Sequence, residues 1–244
     1  MWKSDGNRIK PVSKGKRVML KELNLYDIKQ IYEEKMIHDF PACEIKPFKA
    51  IERMHQNGEY FVYGNFEGEE MIAYAFIAKP KDGKVGLLDY LAVKESERGK
   101  GYGSKTIAQI KEFLKDRYNG LIIESEHIHY AKCEEDKKKR QRRIRFYEKN
   151  GLVKLGFESR IYGTEYTVLY LNTKYEKNVD INVEISVEKG KSEIGFRKGS
   201  ETEKTEINNK VLMDTEKLKM EYFKIYQMMM PKDWNEQYVE IWDK

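Results

Sequence analysis

The sequence predicts an α+β fold with a mixed, mostly antiparallel central sheet, and three observations carry that prediction. Tyr60-Phe61-Val62-Tyr63-Gly64 and Met71 to Ile77 are apolar runs joined by the turn residues Phe66-Glu67-Gly68-Glu69, and Pro80-Lys81-Asp82-Gly83 turns the chain once more, as in an antiparallel meander. Val85 to Ser104, VGLLDYLAVKESERGKGYGS, reads as a buried strand, a tight glycine-bearing loop and the start of a helix; after the Asn119-Gly120 stop, Leu121-Ile122-Ile123-Glu124-Ser125-Glu126 reads as a second buried strand. Strands joined through a helix pair in parallel, with a right-handed crossover. Leu152 to Phe157 and Thr167 to Leu171, about the turn Tyr162-Gly163-Thr164, read as the last two strands of the sheet.

A chain of 244 residues suffices for one large domain or two small ones. Apolar residues at 40% beside 36% charged describe a globular protein with a highly charged surface, and no apolar run nears the length of about 18 residues that spans a membrane. The basic start, MWKSDGNRIKPVSKGKR, lacks the apolar core of a signal peptide, so the expected location is the cytoplasm. Cys43 and Cys133 could pair, but two cysteines make neither a disulfide framework nor a zinc site; they read as free thiols of a reducing compartment, and no metal is expected. The net charge of +5 is small beside 46 basic and 41 acidic residues; it permits an acidic ligand without arguing for nucleic acid.

Residues 1–16 read as a flexible basic leader and Val18 to Leu23 as a first strand. Asn24 is placed to cap a helix, with Asp27 three residues on, and Leu25, Ile28, Ile31, Tyr32 and Met36 form its apolar face. Pro41 interrupts; Lys46 to Gln56, with Phe48, Ile51 and Met54, is a short second helix stopped by Asn57-Gly58. The helix after the glycine loop is expected from Ser104, burying Ile107, Ile110, Phe113, Leu114 and Tyr118. His127 to Asp136 is a polar loop, and the basic run Lys137 to Arg145 reads as the exposed face of a helix, with contact to a ligand phosphate as the alternative, rather than as a nucleic-acid patch. Farther on, Val179, Ile181, Val183, Ile185 and Val187 alternate, and Lys189-Gly190-Lys191 can turn that strand back toward Ile194 and Phe196. Arg197 to Asn209 is polar and reads as a loop. Asp214 is placed to cap a last helix with Leu218, Tyr222, Ile225, Tyr226 and Met229 on one face, ended by Pro231, and Tyr238 to Trp242 reads as a short last strand.

The glycine loop has a direct physical use. Gly99, Gly101 and Gly103 let a ligand approach the main chain and let the chain turn with positive φ, while the helix that follows starts with unpaired N–H groups and a dipole favouring negative charge. Together these features make a pyrophosphate cradle. The loop is not a G-x-x-x-x-G-K-[ST] phosphate loop, and its G-x-G-x-G spacing misses the G-x-G-x-x-G dinucleotide fingerprint.

Arg98-x-x-Gly101-x-Gly103 resembles the [QR]-x-x-G-x-[GA] signature of the GNAT acyltransferase superfamily. Arg143-Ile144-Arg145-Phe146-Tyr147-Glu148-Lys149-Asn150-Gly151 resembles its second motif, a helix ending in F-Y-x-x-N-G. The two stand in the family's order, with room between them for one helix, one strand and the next helix. The resemblance covers roughly Arg17 to Leu171 and implies a GNAT domain over 17–171, an inserted hairpin and loop over 172–209, and a C-terminal helix and strand, 210–244, packed on the core. It further implies helices on both faces of the sheet and a parallel strand pair splayed at a bulge. Acetyl-CoA, the implied co-substrate, would enter that gap against the main chain of Leu91, Ala92 and Val93, with Arg98, Gly99, Lys100, Gly101, Tyr102, Gly103 and Ser104 around its pyrophosphate. The first two helices would help wall the acceptor site, where His38 and the neighbouring aromatics either meet substrate or fill the core. Arg140 and Arg143 stand where the family often has Asn and a small residue.

The implied reaction moves an acetyl group from the thioester to a primary amine, of a small molecule or a peptide, by direct attack. A free alkyl amine has a pKa of about 10.4, so well under about one per cent of it is neutral at pH 7, and a carboxylate, directly or through a water, can take its proton. Asp89 and Glu124, on the strands that flank the gap, are the candidates, with Glu126 a third; each can equally be a structural ion-pair partner. Tyr147 is the implied acid for the departing thiolate, and a main-chain N–H near Val93 the donor to the developing oxyanion. Two other readings stay open: a GNAT-fold module that holds an acyl-CoA for regulation, and an acetyltransferase acting on tRNA or a ribosomal protein, for which the basic helix is the one argument. Neither a membrane nor nucleic acid is the expected partner, and the chain is expected as a monomer or homodimer.

Overall fold

The computed structural model describes residues 18–174, 184–188, 191–195, 201–230 and 239–243, so the basic leader expected over 1–16 lies outside the described residues. An antiparallel meander of β2 (Tyr60–Glu67), β3 (Glu70–Ala78) and β4 (Val85–Val93) forms one half of the main sheet, with β1 (Val18–Glu22) on the outer edge of β2. The other half is β5 (Gly120–Glu126), β6 (Val153–Ile161), β7 (Thr164–Asn172) and β10 (Val239–Asp243). The order across the eight strands is β1-β2-β3-β4-β5-β7-β6-β10, and β4–β5 is the parallel junction between the halves. A separate two-stranded hairpin, β8 (Glu184–Glu188) and β9 (Lys191–Gly195), sets Ile185 opposite Ile194, in the stretch whose alternation predicts it.

Helix α1 (Leu25–Ile31) starts where Asn24 Oδ1 accepts the Asp27 N–H at 3.0 Å, which satisfies one of the donors a helix start leaves free. It runs through a π-helical turn, Tyr32–Met36, into the short α2 (Ile37–Asp39) and stops before Pro41. The next helix, α3 (Phe48–Gln56), ends at Asn57 with Gly58 at a φ of 69°. The remaining helices are α4 (Tyr102–Leu114), α5 (Glu134–Lys149) and α6 (Glu201–Met229).

Strand side chains alternate between the two faces of the sheet, and each face has its own helices. Leu87 and Ile122 join Ile28, Met36, Ile51, Tyr222 and Ile225 in a core beneath α1, α3 and α6. Leu88 and Ile123 join Ile107, Ile110, Leu114, Leu152 and Tyr147 beneath α4 and α5.

Three expectations change. Helix α4 begins at Tyr102 rather than Ser104, because Gly101 takes the cap position in the left-handed region at φ 86°. Phe113 is 37% exposed: Ile107, Ile110 and Leu114 already make the buried stripe, and Phe113 sits off it, edge-on to Tyr63 with Arg117 over its ring. Residues 201–209 are helical rather than loop, since α6 starts at Glu201; a stretch with polar residues on every side carries no helical period to read.

Candidate active site

The two halves of the sheet touch over a short parallel ladder, Val85↔Gly120, Gly86↔Leu121 and Leu87↔Ile122, after which β4 and β5 part. The parting begins at a bulge. Tyr90 opposes Phe76 and Leu88 opposes Ile77, so Asp89 has no partner on β3. The extra residue resets the alternation: Leu88 belongs to the α4–α5 core, yet Tyr90, two residues on, belongs to the other. Asp89 and Tyr90 therefore both face α1–α3.

Past the bulge one edge of β4 is open. Lys94 N–H donates to Ile72 O at 2.8 Å, and alternate residues of an antiparallel ladder make the bonds, so Ala92 and Tyr90 turn their main-chain groups to β3. Leu91 and Val93 turn theirs into the gap that β5 has left. The expectation for Ala92 is corrected on this point: its peptide groups belong to the ladder, and the main chain facing the gap is that of Leu91 and Val93. The Val93 carbonyl accepts from Arg98 Nε at 3.0 Å.

At the end of β4 the glycine loop opens onto α4. Gly99 and Gly101 have φ of 77° and 86°, which L side chains rarely adopt, and a Cβ on either would meet nothing within 4 Å. Lys105 N–H bonds Gly101 O at 3.1 Å, so the N–H groups of Tyr102, Gly103 and Ser104 precede the helical ladder and have no acceptor within it. Gly103 serves packing, since a Cβ there would stand 3.0 Å from the Phe146 ring of α5. The basic side chains of the loop are engaged: Arg98 Nη2 reaches Asp39 at 2.8 Å, and Lys100 Nζ lies 3.1 Å from both oxygens of Glu97. What the loop presents is therefore its main chain. Lys105 adds charge one turn into α4, over the Tyr102 ring at 5.0 Å.

The structure brings Asp89 and Glu124 to the same face of the sheet, each in its own clasp. Asp89, with a side chain 7% exposed, pairs with Lys46 Nζ at 2.8 Å and accepts the Tyr60 hydroxyl proton. Burial works against the charge on Lys46, but the Asp89 carboxylate outweighs it and holds the ammonium above its ordinary pKa. The Lys46 N–H also bonds the Tyr90 hydroxyl at 3.0 Å, which donates to Glu44 O at 2.6 Å. Glu124 accepts from two tyrosines of α6: the Tyr222 hydroxyl bonds Oε1, and the Tyr226 hydroxyl lies 2.7 Å from Oε1 and 2.8 Å from Oε2. Burial pushes the Glu124 pKa up; the two phenols pull against that, and the charge of Asp89 adds to it.

Glu126 does not join them. It pairs with Arg140 at 3.0 Å and Arg143 at 3.5 Å. Arg140, expected on an exposed face, is 6% exposed; it also bonds His127 O at 2.8 Å and Asp136 at 3.0 Å, and so ties the start of α5 to the end of β5. Tyr147 of α5 lies in the core on the opposite face of the sheet from Glu124, and burial keeps its phenol protonated beyond the ordinary range. Sequence reasoning missed Lys46, Tyr60 and the hydroxyls of Tyr222 and Tyr226. The last two had a signal: two tyrosines one turn apart in a stripe otherwise read as apolar. Among the described residues, no cluster of His, Cys, Asp or Glu could hold a metal ion and no helix is long and apolar enough to cross a membrane.

No curated protein matches the chain. Among solved structures it is similar to ribosomal-protein-S18-alanine N-acetyltransferase from Escherichia coli, at 17% identity and a TM-score of 0.48, over 67% of this chain and 99% of that one. It is similar to a GNAT-family acetyltransferase from Bacteroides thetaiotaomicron at 18% identity and a TM-score of 0.50, over 63% and 86%. Spermidine N-acetyltransferase from Vibrio cholerae, in complex with CoA and spermine, matches at 10% identity and a TM-score of 0.47, over 64% and 95%. At such identities likeness speaks of fold alone. A model of the acetyltransferase (GNAT) family matches residues 25–152, just over half of the chain, and that span holds the bulged strand, the glycine loop and the Phe146-Tyr147 helix. With the splayed parallel pair found where those motifs imply it, the chain belongs to the GNAT acetyltransferase family.

Proposed function

We propose that the chain transfers an acetyl group from acetyl-CoA to a primary amine, of a small molecule or a peptide, by direct attack. The observation that carries this reading is the gap between β4 and β5, with the Leu91 and Val93 peptide groups on its open edge and the Glu124 carboxylate on the strand across it. Acetyl-CoA fits the residues present: open left-handed glycines, and N–H groups at the start of α4 that precede the helical ladder and suit a pyrophosphate. When bound it supplies an acetyl thioester.

The chain's own groups divide the remaining work. Glu124 takes the amine proton; its raised pKa brings it nearer to neutral pH, where a base both ionises and accepts a proton readily. Asp89, already matched by Lys46, holds the bulge and adds negative charge beside Glu124 rather than serving as the base. Tyr147, kept protonated by burial, is the donor on the thiol side. We place the reaction in the cytoplasm, where the free, exposed Cys43 and Cys133 stay reduced.

The test is a thermal-shift titration with acetyl-CoA and CoA, followed by thiol release over polyamines, arylalkylamines, lysine and peptides with free N-termini. At about a hundred times its Kd the ligand stabilises by about 2.7 kcal/mol, roughly 5–11 °C for a chain of this size. A shift followed by amine-dependent release is expected. The absence of any shift refutes acetyl-CoA binding, and a shift without release from any amine refutes amine acetylation over that panel.

A further inference from the structure

Glu124 lies inside the span that matches the family, but what holds its carboxylate comes from outside it, on α6. Tyr222 and Tyr226 are four residues apart and so share one stripe of the helix. Both are buried, 0% and 4% exposed, with ring centroids 5.1 Å apart. A buried phenol needs a partner that phenylalanine would not, and both hydroxyls find theirs on Glu124. Because Tyr222 gives its proton to Glu124, Ser159 Oγ, 2.8 Å away, is the donor to the Tyr222 oxygen. The result is a closed chain from Ser159 of β6 through Tyr222 to Glu124 of β5, with Tyr226 on its far side.

We propose that α6 is a working part of the acceptor site, and that Tyr222 and Tyr226 are positioning residues that aim the Glu124 carboxylate at the incoming amine. The inference rests on Glu124 as the base and adds where the geometry of that base comes from. A carboxylate presents about four lone-pair directions. Tyr222 takes one on Oε1, and the single Tyr226 proton, shared between the two oxygens, lies across the inner direction of each. One direction, on Oε2, remains for the amine proton. That proton leaves the amine nitrogen for Oε2, and the electron pair of the broken N–H bond stays on nitrogen.

The same phenols oppose the burial that raises the pKa of the base. Burial favours the neutral acid, and hydrogen bonds to the ionised form oppose it. The other groups facing Glu124 are Asp89 of β4, whose charge favours the neutral acid, Lys46 before α3, which favours the carboxylate, and Tyr166 of β7. Removing one phenol donor leaves burial less opposed, so the carboxyl midpoint moves up.

The test is a pH titration of the Glu124 side-chain carboxyl by NMR on the full chain labelled with 13C-glutamate, the signal assigned by its loss in Glu124→Gln. Tyr226→Phe is expected to raise the midpoint by about one pH unit, and Tyr222→Phe to raise it as well. Both substitutions keep the ring, and a Tm near the parent's confirms folding. The acidic limb of thiol release with the most active amine of the panel should move by the same amount. An unmoved midpoint and limb in both variants, with release lost in Glu124→Gln, overturns the proposal and leaves Glu124 as the base. Release at the parent rate in Glu124→Gln refutes the base itself, and the role of α6 with it.

Discussion

Lys46→Met cuts the clasp on Asp89 from one side. It keeps much of the stem's volume but leaves a carboxylate that is 7% exposed with the Tyr60 hydroxyl as its remaining donor among the bonds described. Breaking a buried pair from one side costs about 3–5 kcal/mol. The Lys46 side chain is 27% exposed, so water screens part of that, and about 2–3 kcal/mol is expected, a fall in Tm of roughly 4–12 °C. Asp89→Asn leaves behind an ammonium that can reach water and should cost less, about 1 kcal/mol. The double variant has no stranded charge, so its loss should fall short of the sum of the singles by about 1–2 kcal/mol. The assay is urea unfolding of all four proteins at fixed m-value. A raised lysine pKa contributes stability that is complete below the unfolded value of about 10.4 and is lost only as pH rises through the higher folded one, so the coupling should be flat from about pH 6 to 9. Additive single losses would refute the pairing as a source of stability.

The glycine loop separates strain from crowding. Gly101→Ala meets no atom within 4 Å but forces a left-handed alanine, at about 1–2 kcal/mol, and should shrink the thermal shift given by acetyl-CoA. Gly103→Ala presses on the Phe146 ring at 3.0 Å, and a second substitution, Phe146→Leu, should recover stability for it and not for Gly101→Ala. Glu124 predicts a pH-dependent gain. A carboxyl with a raised folded pKa binds more protons folded than unfolded, so stability falls as pH climbs from its unfolded value, about 4.3, through the folded one. Glu124→Gln escapes that loss and should have the higher Tm at pH 8, with the advantage gone at pH 4; equal differences at both would refute burial as the cause.

Much of the fold was legible because it rests on short-range signals. Asn24 and Asp27, the Pro80–Gly83 turn, the Asn57-Gly58 stop and the glycine loop all act within a few residues, and each stands where the pattern put it. The splay came from the family resemblance; periodicity alone gives no hint that Asp89 is the extra residue of a bulge. The clasps were illegible for a different reason. Lys46 and Asp89 are 43 positions apart and Tyr226 and Glu124 are 102 apart, and nothing local marks either pairing. Arg140 shows the same limit: with six basic neighbours in its run it looks solvated, and only the three-dimensional convergence of Glu126, Asp136 and His127 O buries it.

The short ladder between β4 and β5 has a mechanical consequence. Three residue pairs are a weak seam for a sheet of eight strands, so the two halves behave as plates meeting along a short weld. Helix α6 crosses that seam like a brace, lying against β4 on one plate and β10 on the other while its tyrosines grip β5. A guest that bonds along the open side of β4 lengthens the weld from within. Occupancy of the gap would then stiffen the whole sheet, because it would join the two plates beyond the three pairs of the ladder.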